Sequence, residues 1–405
     1  MGNFTGDVKS KTPHIVWLTD VEKDKSLKNI VRDFVMWTRE NTEDLLYINH
    51  AFDPLYKKMN NEFGDVELFF RINDVWFLPY MVQALGYEIA DYDVEIVNEY
   101  SSIIPHNANQ LFADNTKTAY VPISTGCSQF CAYCIVPYAR GLEKNRGKEE
   151  IIEEAKQHIK EWAQEIVLLG QIVNKHPDFY EILKTVCELP GVKRVRYTSP
   201  YPTYYDNRIF ALHNDMETLC PHIHMPLQSW SSKTLKKMFR GYTREQSIEF
   251  IDQIRALDRP ISITTDIIVW FTDETEEDFL ESMSLAEYGK FDMIYIWIYS
   301  PRPGTYGYRK YEDNIPLKTK KDRHHRLNEL LRATSLQNNT KEIGITRDIL
   351  LRDVQDHLMM GYSENMKQVI FRNPEGKFSD TYTAWQFVKG KIIETADFKL
   401  YGEIV

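Results

Sequence analysis

The run Gly126-Cys127-Ser128-Gln129-Phe130-Cys131-Ala132-Tyr133-Cys134 sets three cysteines at Cys-x3-Cys-x2-Cys spacing. A loop of this length folds back so that its thiolates reach three irons of one cubic cluster. Four-cysteine runs make closed electron-transfer clusters. Three cysteines leave one iron without a protein ligand, much as three ligands leave a catalytic zinc open. A zinc knuckle or chance clustering is the competing reading. A knuckle asks for a fourth Cys or His close by, and the nearest downstream candidate, His158, falls inside a predicted helix. Of the other two cysteines, Cys187 shares helical spacing with Phe179, Ile182, Leu183 and Val186 and is expected in the core. Cys220 is expected to be structural.

The rest of the composition narrows the class. Five cysteines, three of them in one loop, argue for a reducing cytosol and against a disulfide scaffold. A chain of 405 residues is long enough for two or three domains. Its 43% hydrophobic and 27% charged residues are ordinary for a globular protein. No apolar run approaches the roughly 18 residues of a membrane span. The opening MGNFTGDVKSKTPH lacks the apolar core of a signal peptide. The expectation is a cytoplasmic protein with no membrane partner. A net charge of -10 argues against a broad nucleic-acid-binding field, so any RNA contact must use local patches.

Three regions follow from the patterning. Residues 1–112 read as a small α/β domain. Short apolar runs at His14 to Thr19, Leu45 to Ile48 and Val66 to Ile72 suit buried strands, with helical stretches such as Leu27 to Thr38 between them. Residues 113–340 repeat strand then helix. Predicted strands are Ala119 to Ile123, Ile166 to Leu169, Arg194 to Thr198, His222 to Pro226, Ile261 to Val269 and Met293 to Tyr299. Predicted helices include the Ile151 to Trp162 face, Phe179 to Cys187, Lys233 to Arg240, Arg244 to Leu257, Glu276 to Gly289 and Lys318 to Lys341. Six strands with helices between them predict an open, partial (β/α)6 barrel, with its site at the strands' C-terminal ends. Residues 341–405 read as a small all-β module, with strands at Asp348 to Val354, Lys367 to Phe371, Gln386 to Glu394 and Phe398 to Val405. The module holds nine Lys/Arg against ten Asp/Glu and so carries no cationic signal for RNA.

The cysteine motif resembles the signature of the radical S-adenosylmethionine superfamily. The longer run Thr125 to Arg146, TGCSQFCAYCIVPYARGLEKNR, is similar to the methylthiotransferase family, whose members put a methylthio group on tRNA or on a ribosomal protein. Ile135 to Gly141 is more like the tRNA-modifying branch. The resemblance implies that Cys127, Cys131 and Cys134 hold a [4Fe–4S] cluster. Its open iron would be chelated by the amino and carboxylate groups of S-adenosylmethionine, and one electron would release a 5′-deoxyadenosyl radical. It implies an N-terminal flavodoxin-like α/β domain. It also implies a C-terminal TRAM domain, an OB-like RNA-binding barrel, carried by Gly361-Tyr362-Ser363-Glu364-Asn365 and the ending Leu400 to Val405. Tyr362 and Phe371 would be its stacking platforms.

Further residues take roles from the same resemblance. Gly170 and Gln171 end the second strand, where a missing Cβ lets backbone approach the amino group of S-adenosylmethionine. In His222-Ile223-His224-Met225-Pro226-Leu227-Gln228-Ser229, Gln228 and Ser229 would face the cofactor; Trp230 follows where the family continues with glycine. Met238-Phe239-Arg240-Gly241-Tyr242 keeps the family's Met-x-Arg-x-Tyr pattern. Arg240, like Arg140 after the cysteine loop, would hold an anionic group. Thr264 to Thr275 is similar to the family's TDIIVGFPGET, with Trp270 and Thr272-Asp273 replacing Gly and Pro-Gly. Thr265 and Asp266 would meet adenosine or ribose, and Arg302 a carboxylate.

The implied substrate is the anticodon stem-loop of a tRNA, at adenosine C2. Partners would be a reductant such as flavodoxin or ferredoxin and a sulfur-donor protein. The family's N-terminal domain normally carries three further cysteines for an auxiliary cluster, whereas here no cysteine precedes Cys127. Asp20 and His50 stand near two of those positions. Two alternatives stay open: a radical enzyme doing a non-thiolating modification, and a catalytically impaired RNA-binding paralogue.

Overall fold

The structure is a computed structural model that describes residues 117–405. The expected N-terminal α/β domain, Asp20 and His50 lie outside the described residues.

Thr118–Pro122 forms β1, and the two-residue strands β2 (Ser124–Thr125) and β3 (Lys144–Asn145) pair antiparallel around the cysteine loop. Val136–Arg140 makes the short helix α1 inside that loop. Then strand and helix alternate. Lys148–Glu161 is α2, Glu165–Leu169 is β4, Phe179–Cys187 is α3, Arg194–Tyr197 is β5 and Asn207–Asp215 is α4. His222–His224 is β6, Ser232–Lys237 is α5, Arg244–Arg255 is α6, Ser262–Val269 is β7, Glu276–Gly289 is α7 and Met293–Ile298 is β8. Tyr306–Lys310 is α8 and Leu317–Thr340 the long α9.

Helix starts follow from local chemistry. Thr243 with Gln246, and Thr275 with Asp278, form reciprocal capping boxes that satisfy amides the first turn leaves unpaired. Helix α5 ends earlier than the predicted Arg240, because Phe239 turns to φ 61 and stops the helical path. Helix α4 has no counterpart among the predicted elements; Asp206 caps it by accepting from the Arg208 amide at 2.8 Å.

Strands β1, β4 and β5 pair parallel, as do β6, β7 and β8. A parallel bridge between Val195 and Leu219, with the Cys220 amide donating to the Val195 carbonyl at 3.0 Å, joins the two sheets. The result is an open α/β half-barrel. Alternate residues face its helices: Ala119, Val121, Ile166, Leu168 and Val195 fill one core, and Ile223, Ile263, Ile267 and Val269 fill another. By the same alternation Tyr120, Glu165, Arg194, Arg196, His222, His224, Asp266, Tyr295 and Trp297 belong to the concave face.

The C-terminal segment closes a five-stranded barrel from β9 (Thr346–Val354), β10 (Leu358–Ser363), β11 (Gln368–Arg372), β12 (Phe387–Thr395) and β13 (Leu400–Ile404). The strand order is β10-β11-β13-β12-β9, closed by β9 on β10, and β11 with β13 is its parallel pair. Strand β10 was not among the predicted strands. Its apolar pattern is broken by Gly361, where a Cβ would stand 2.5 Å from the Leu350 carbonyl. Phe371 corrects one expectation: it is 1% exposed in this barrel's core, so its ring has no face for a nucleobase.

The small barrel sits on the N-terminal ends of the half-barrel strands through buried charge. Arg194 donates to the carbonyls of Tyr362, at 3.1 Å, and Asp348. Arg196 donates to the Ser363 carbonyl at 3.0 Å. Glu165 receives Arg196 at 3.2 Å, Arg352 at 3.3 Å and the Thr118 hydroxyl at 2.9 Å. Burial alone would raise the Glu165 pKa, but Arg196, Arg194 and Arg352 outweigh it and hold the carboxyl below its usual range. A Glu165→Gln variant strands several buried guanidinium groups, a loss of about 3 kcal/mol or more. Its thermal midpoint should fall, and hydrogen exchange should accelerate first in residues 346–363. An unchanged midpoint would show that the charge cluster contributes nothing to docking.

Candidate functional site

The cysteine loop lies at the C-terminal end of the first strand region. Gly126 takes φ 66, and a Cβ there would stand 2.2 Å from the Leu142 carbonyl oxygen. Only glycine fits so close a backbone approach. The Cys127 amide donates to Gly141 O at 3.1 Å, and the Cys134 amide to Cys131 O at 2.9 Å. Two remote segments pin the middle of the loop: the Ala132 amide donates to Met238 O at 3.0 Å, and the Gly307 amide donates to Ala132 O at 2.6 Å.

All three thiols are free. Cys131 is buried, and Cys127 and Cys134 are partly exposed. Burial pushes the Cys134 thiol up to about 11 against the backbone hydrogen bond at Val136, and Cys131 and Cys127 add to the rise. Burial likewise raises Cys127. Ligation must therefore displace protons from these sulfurs. Among the described residues no three His, Cys, Asp or Glu side chains converge on a single metal ion. A cubic cluster asks something else, one thiolate on each of three irons. Free, mutually sensing thiols beside a fixed cation fit that demand.

Arg240 is that cation. Its Nη1 lies 3.4 Å from Cys131 Sγ and 3.4 Å from Tyr133 Oη. Nη2 donates to Pro226 O at 2.8 Å, Nε to Tyr242 Oη at 3.0 Å, and the guanidinium lies 4.3 Å from the Tyr201 ring centroid. Burial lowers its pKa, but Tyr242, Tyr133 and Cys131 overcome this and raise it, so the charge is kept. Sequence reasoning found Arg240 but missed Tyr133, Tyr201 and the Cys131 contact; the Met-x-Arg-x-Tyr spacing points only to Tyr242.

The other expected residues separate. Gly170 is tight: a Cβ would meet Ser124 Oγ at 2.6 Å. Gln171 follows it at the end of β4. Gln228 has φ 70 and bridges Ile267, its amide donating to Asp266 O at 2.8 Å. Ser229 is buried, its hydroxyl accepting from the Ser231 amide at 3.4 Å. Thr265 and Asp266 face opposite sides of β7. Thr265 is 0% exposed on the helix-packed side and accepts from the Leu227 amide at 3.3 Å. Asp266 faces the concave side, 3.1 Å from His224 Nε2 and 3.0 Å from Trp297 Nε1. The strand's period of two thus sends the two side chains to different sides. Arg302 is exposed after β8 and lowers the Cys134 thiol. Arg140 closes α1 on the same loop and is exposed.

Both tryptophans that replace glycine turn away from the open face. Trp230 is buried and stacked on Phe291 at 5.4 Å. Trp270 is buried, with its ring 6.3 Å from His324. Trp270 and Asp273 keep φ of 68 and 58, so the backbone runs left-handed where the similar motif has glycine.

Residues 121–286 match the family model described as the Radical SAM superfamily. A protein of Geobacillus kaustophilus called tRNA-2-methylthio-N(6)-dimethylallyladenosine synthase is 33% identical over 87% of this chain and 66% of its own length. One of the same description from a Thermoanaerobacter species is 32% identical over 86% of this chain and 74% of its own. The chain thus spans about two thirds of the length of the relatives it matches. Among solved structures, the cobalamin-dependent S-adenosylmethionine radical enzyme OxsB gives a TM-score of 0.48 at 12% identity, covering 75% of this chain and 46% of that one. Half-barrel, cysteine loop and family match define a radical S-adenosylmethionine enzyme of the transferase kind. Within that class the chain belongs to the methylthiotransferase family of the tRNA-2-methylthio-N(6)-dimethylallyladenosine synthases. The family works with a [4Fe–4S] cluster and S-adenosylmethionine. No helix among the described residues is long and apolar enough to cross a membrane.

Glu274 sets a pH limit on the face that carries the site. It accepts from the Trp270 amide at 2.8 Å and lies 3.3 Å from Arg323. Burial outweighs both partners and raises its carboxyl to about 7. Between the unfolded value near 4.5 and about 7, the unfolded chain has lost a proton that the folded chain keeps. Stability from this group is therefore lost as pH rises through that window. Melting temperature should fall between pH 5 and pH 8, and less steeply in Glu274→Gln. Parallel pH profiles for the two proteins would refute it.

Proposed function

We propose that the chain is a radical S-adenosylmethionine enzyme that modifies tRNA at an adenosine beside the anticodon. The observation that carries this reading is the cysteine loop, clamped by segments following β6 and β8 and backed by the buried Arg240 against Cys131. Cys127, Cys131 and Cys134 hold the [4Fe–4S] cluster. When bound, that cluster supplies the electron that cleaves S-adenosylmethionine and yields the hydrogen-abstracting 5′-deoxyadenosyl radical. Arg240 offsets the negative charge at Cys131 and fixes the loop. Gly170 and Gln171, the Gln228 turn, Asp266 on the concave face, Arg302 and Arg140 are the cofactor and substrate contacts; Ser229 and Thr265 shape the backbone behind them.

The domain layout follows. In this reading 113–340 is the radical barrel and 341–405 the TRAM domain, and the resemblance alone assigns 1–112 to a flavodoxin-like domain. Support for the last comes from the closed five-stranded barrel with one parallel pair, an OB-like arrangement. RNA is held by Tyr362 and local cations, and a flavodoxin- or ferredoxin-type protein supplies electrons. Residues 1–126 hold no cysteine, and in this reading a separate donor protein supplies the sulfur. Asp20 and His50 offer harder ligands than thiolate and suit an iron–sulfur cluster poorly.

Two measurements test this. Anaerobically reconstituted protein should carry about four irons and form 5′-deoxyadenosine when reduced. Cys131→Ala should lose both the brown chromophore and that product; undiminished cleavage would sink the cluster assignment. In digests of tRNA from the same reaction, methylthio-adenosine should reach several equivalents per chain only with a donor protein present. The same yield from the pure protein would show that it carries its own sulfur source.

A further inference from the structure

Phe239 stands just past the end of α5, at the position where helices favour glycine because φ is positive. The Arg240 amide donates to Leu235 O at 2.9 Å and the Phe239 amide to Lys236 O at 3.1 Å, which completes a Schellman cap. A side chain in this left-handed conformation is destabilising relative to glycine. Burial does not compensate, because Phe239 is 42% exposed. Its ring meets Tyr306 edge to face at 4.8 Å, and Tyr306 is itself 36% exposed. Two large rings thus stand together at the surface.

Their place is specific. The residue after Phe239 is Arg240, which touches Cys131. The residue after Tyr306 is Gly307, which donates to Ala132 in the cysteine loop. From Tyr306 the aromatic contacts run inward through Tyr311 at 5.6 Å and Phe271 at 5.7 Å to Tyr133 at 6.4 Å. The two short helices beside the rings also end in exposed cations, Lys236 on α5 and Arg309 and Lys310 on α8. On a chain of net charge -10 such a grouping is local.

We propose that Phe239 and Tyr306 form a stacking platform for an unpaired nucleobase that flanks the base being modified, with the cations meeting its phosphates. The inference rests on the RNA reading above and names where a second base is held. Exposed ring faces beside cations are the combination that binds single-stranded nucleic acid without sequence readout.

The test is fluorescence anisotropy of the full reconstituted chain with a hairpin RNA bearing an adenosine-rich unpaired loop, at fixed salt. Phe239→Gly removes the ring and relieves the backbone. It should raise the melting temperature, keep the iron content, and weaken RNA binding about tenfold. Tyr306→Ala should weaken binding similarly, while Phe239→Tyr and Tyr306→Phe keep wild-type affinity. Wild-type affinity in Phe239→Gly overturns the proposal. So does loss of stability and iron in that variant, which would make the ring structural, or loss of binding in Phe239→Tyr, which would exclude stacking. Slower reduction by a flavodoxin-type protein with RNA affinity unchanged would assign the patch to a protein partner instead. A wild-type chain that binds no RNA would fail the function reading itself.

Discussion

The guanidinium of Arg240 is the contact on which the site depends. A cysteine loop supplies sulfur ligands but no rigidity of its own. Here one buried cation spans Cys131, Tyr133, Pro226 and Tyr242, tying the loop after β2 to the turn after β6. A buried charge is costly unless its hydrogen bonds are met. Tyrosine hydroxyls, a carbonyl and a sulfur meet them, and the Tyr201 face covers the plane. Lysine keeps the charge but not the fork, so it would not replace this geometry.

The opposite end of the half-barrel is fixed by the same currency with different partners. Arg194 and Arg196 rise from the concave face of β5 and bind carbonyls of the small barrel, while Glu165 and Arg352 complete the junction. Carbonyls accept from arginine without desolvating a second full charge, which makes a buried cation tolerable. The small barrel therefore stays in register with the strands. That leaves the face carrying the cysteine loop, and the concave interior with Trp297 at 58% exposure, as open surface among the described residues.

Much of this was legible in the sequence, for physical reasons that also explain the failures. The helix starts at Arg244 and Glu276 and buried apolar runs such as Ile166 to Leu169 depend on neighbours in the chain, so local pattern fixes them. Motif resemblance named Thr265 and Asp266 together but carries no parity, and the strand sends their side chains to opposite faces. Phe371 looked like a stacking ring because an aromatic in a β-module has the same letter inside or outside the barrel. Helix α4 rests on a single aspartate cap and lacks a long apolar stripe. Tyr133 and Tyr201 converge on Arg240 only through tertiary packing, and no spacing announces that.

The backbone itself records where specificity was placed above local preference. Nine non-glycine described residues take positive φ, and six of them, Phe130, Ser199, Gln228, Phe239, Trp270 and Asp273, lie on loops beyond the C-terminal ends of the half-barrel strands. Such conformations persist only when the surroundings over-determine them, and they gather at ligand-binding loops. Trp270 and Asp273 show how the surroundings do so. Glu274 accepts the Trp270 amide, and Asn314 accepts the Asp273 amide at 3.2 Å. The indole also gains a buried seat against His324 that glycine could not use. The left-handed turn thus forms here without the residue that makes it easy. On this face the path of the loop is held by side-chain hydrogen bonds and a packed indole rather than by the absence of a side chain.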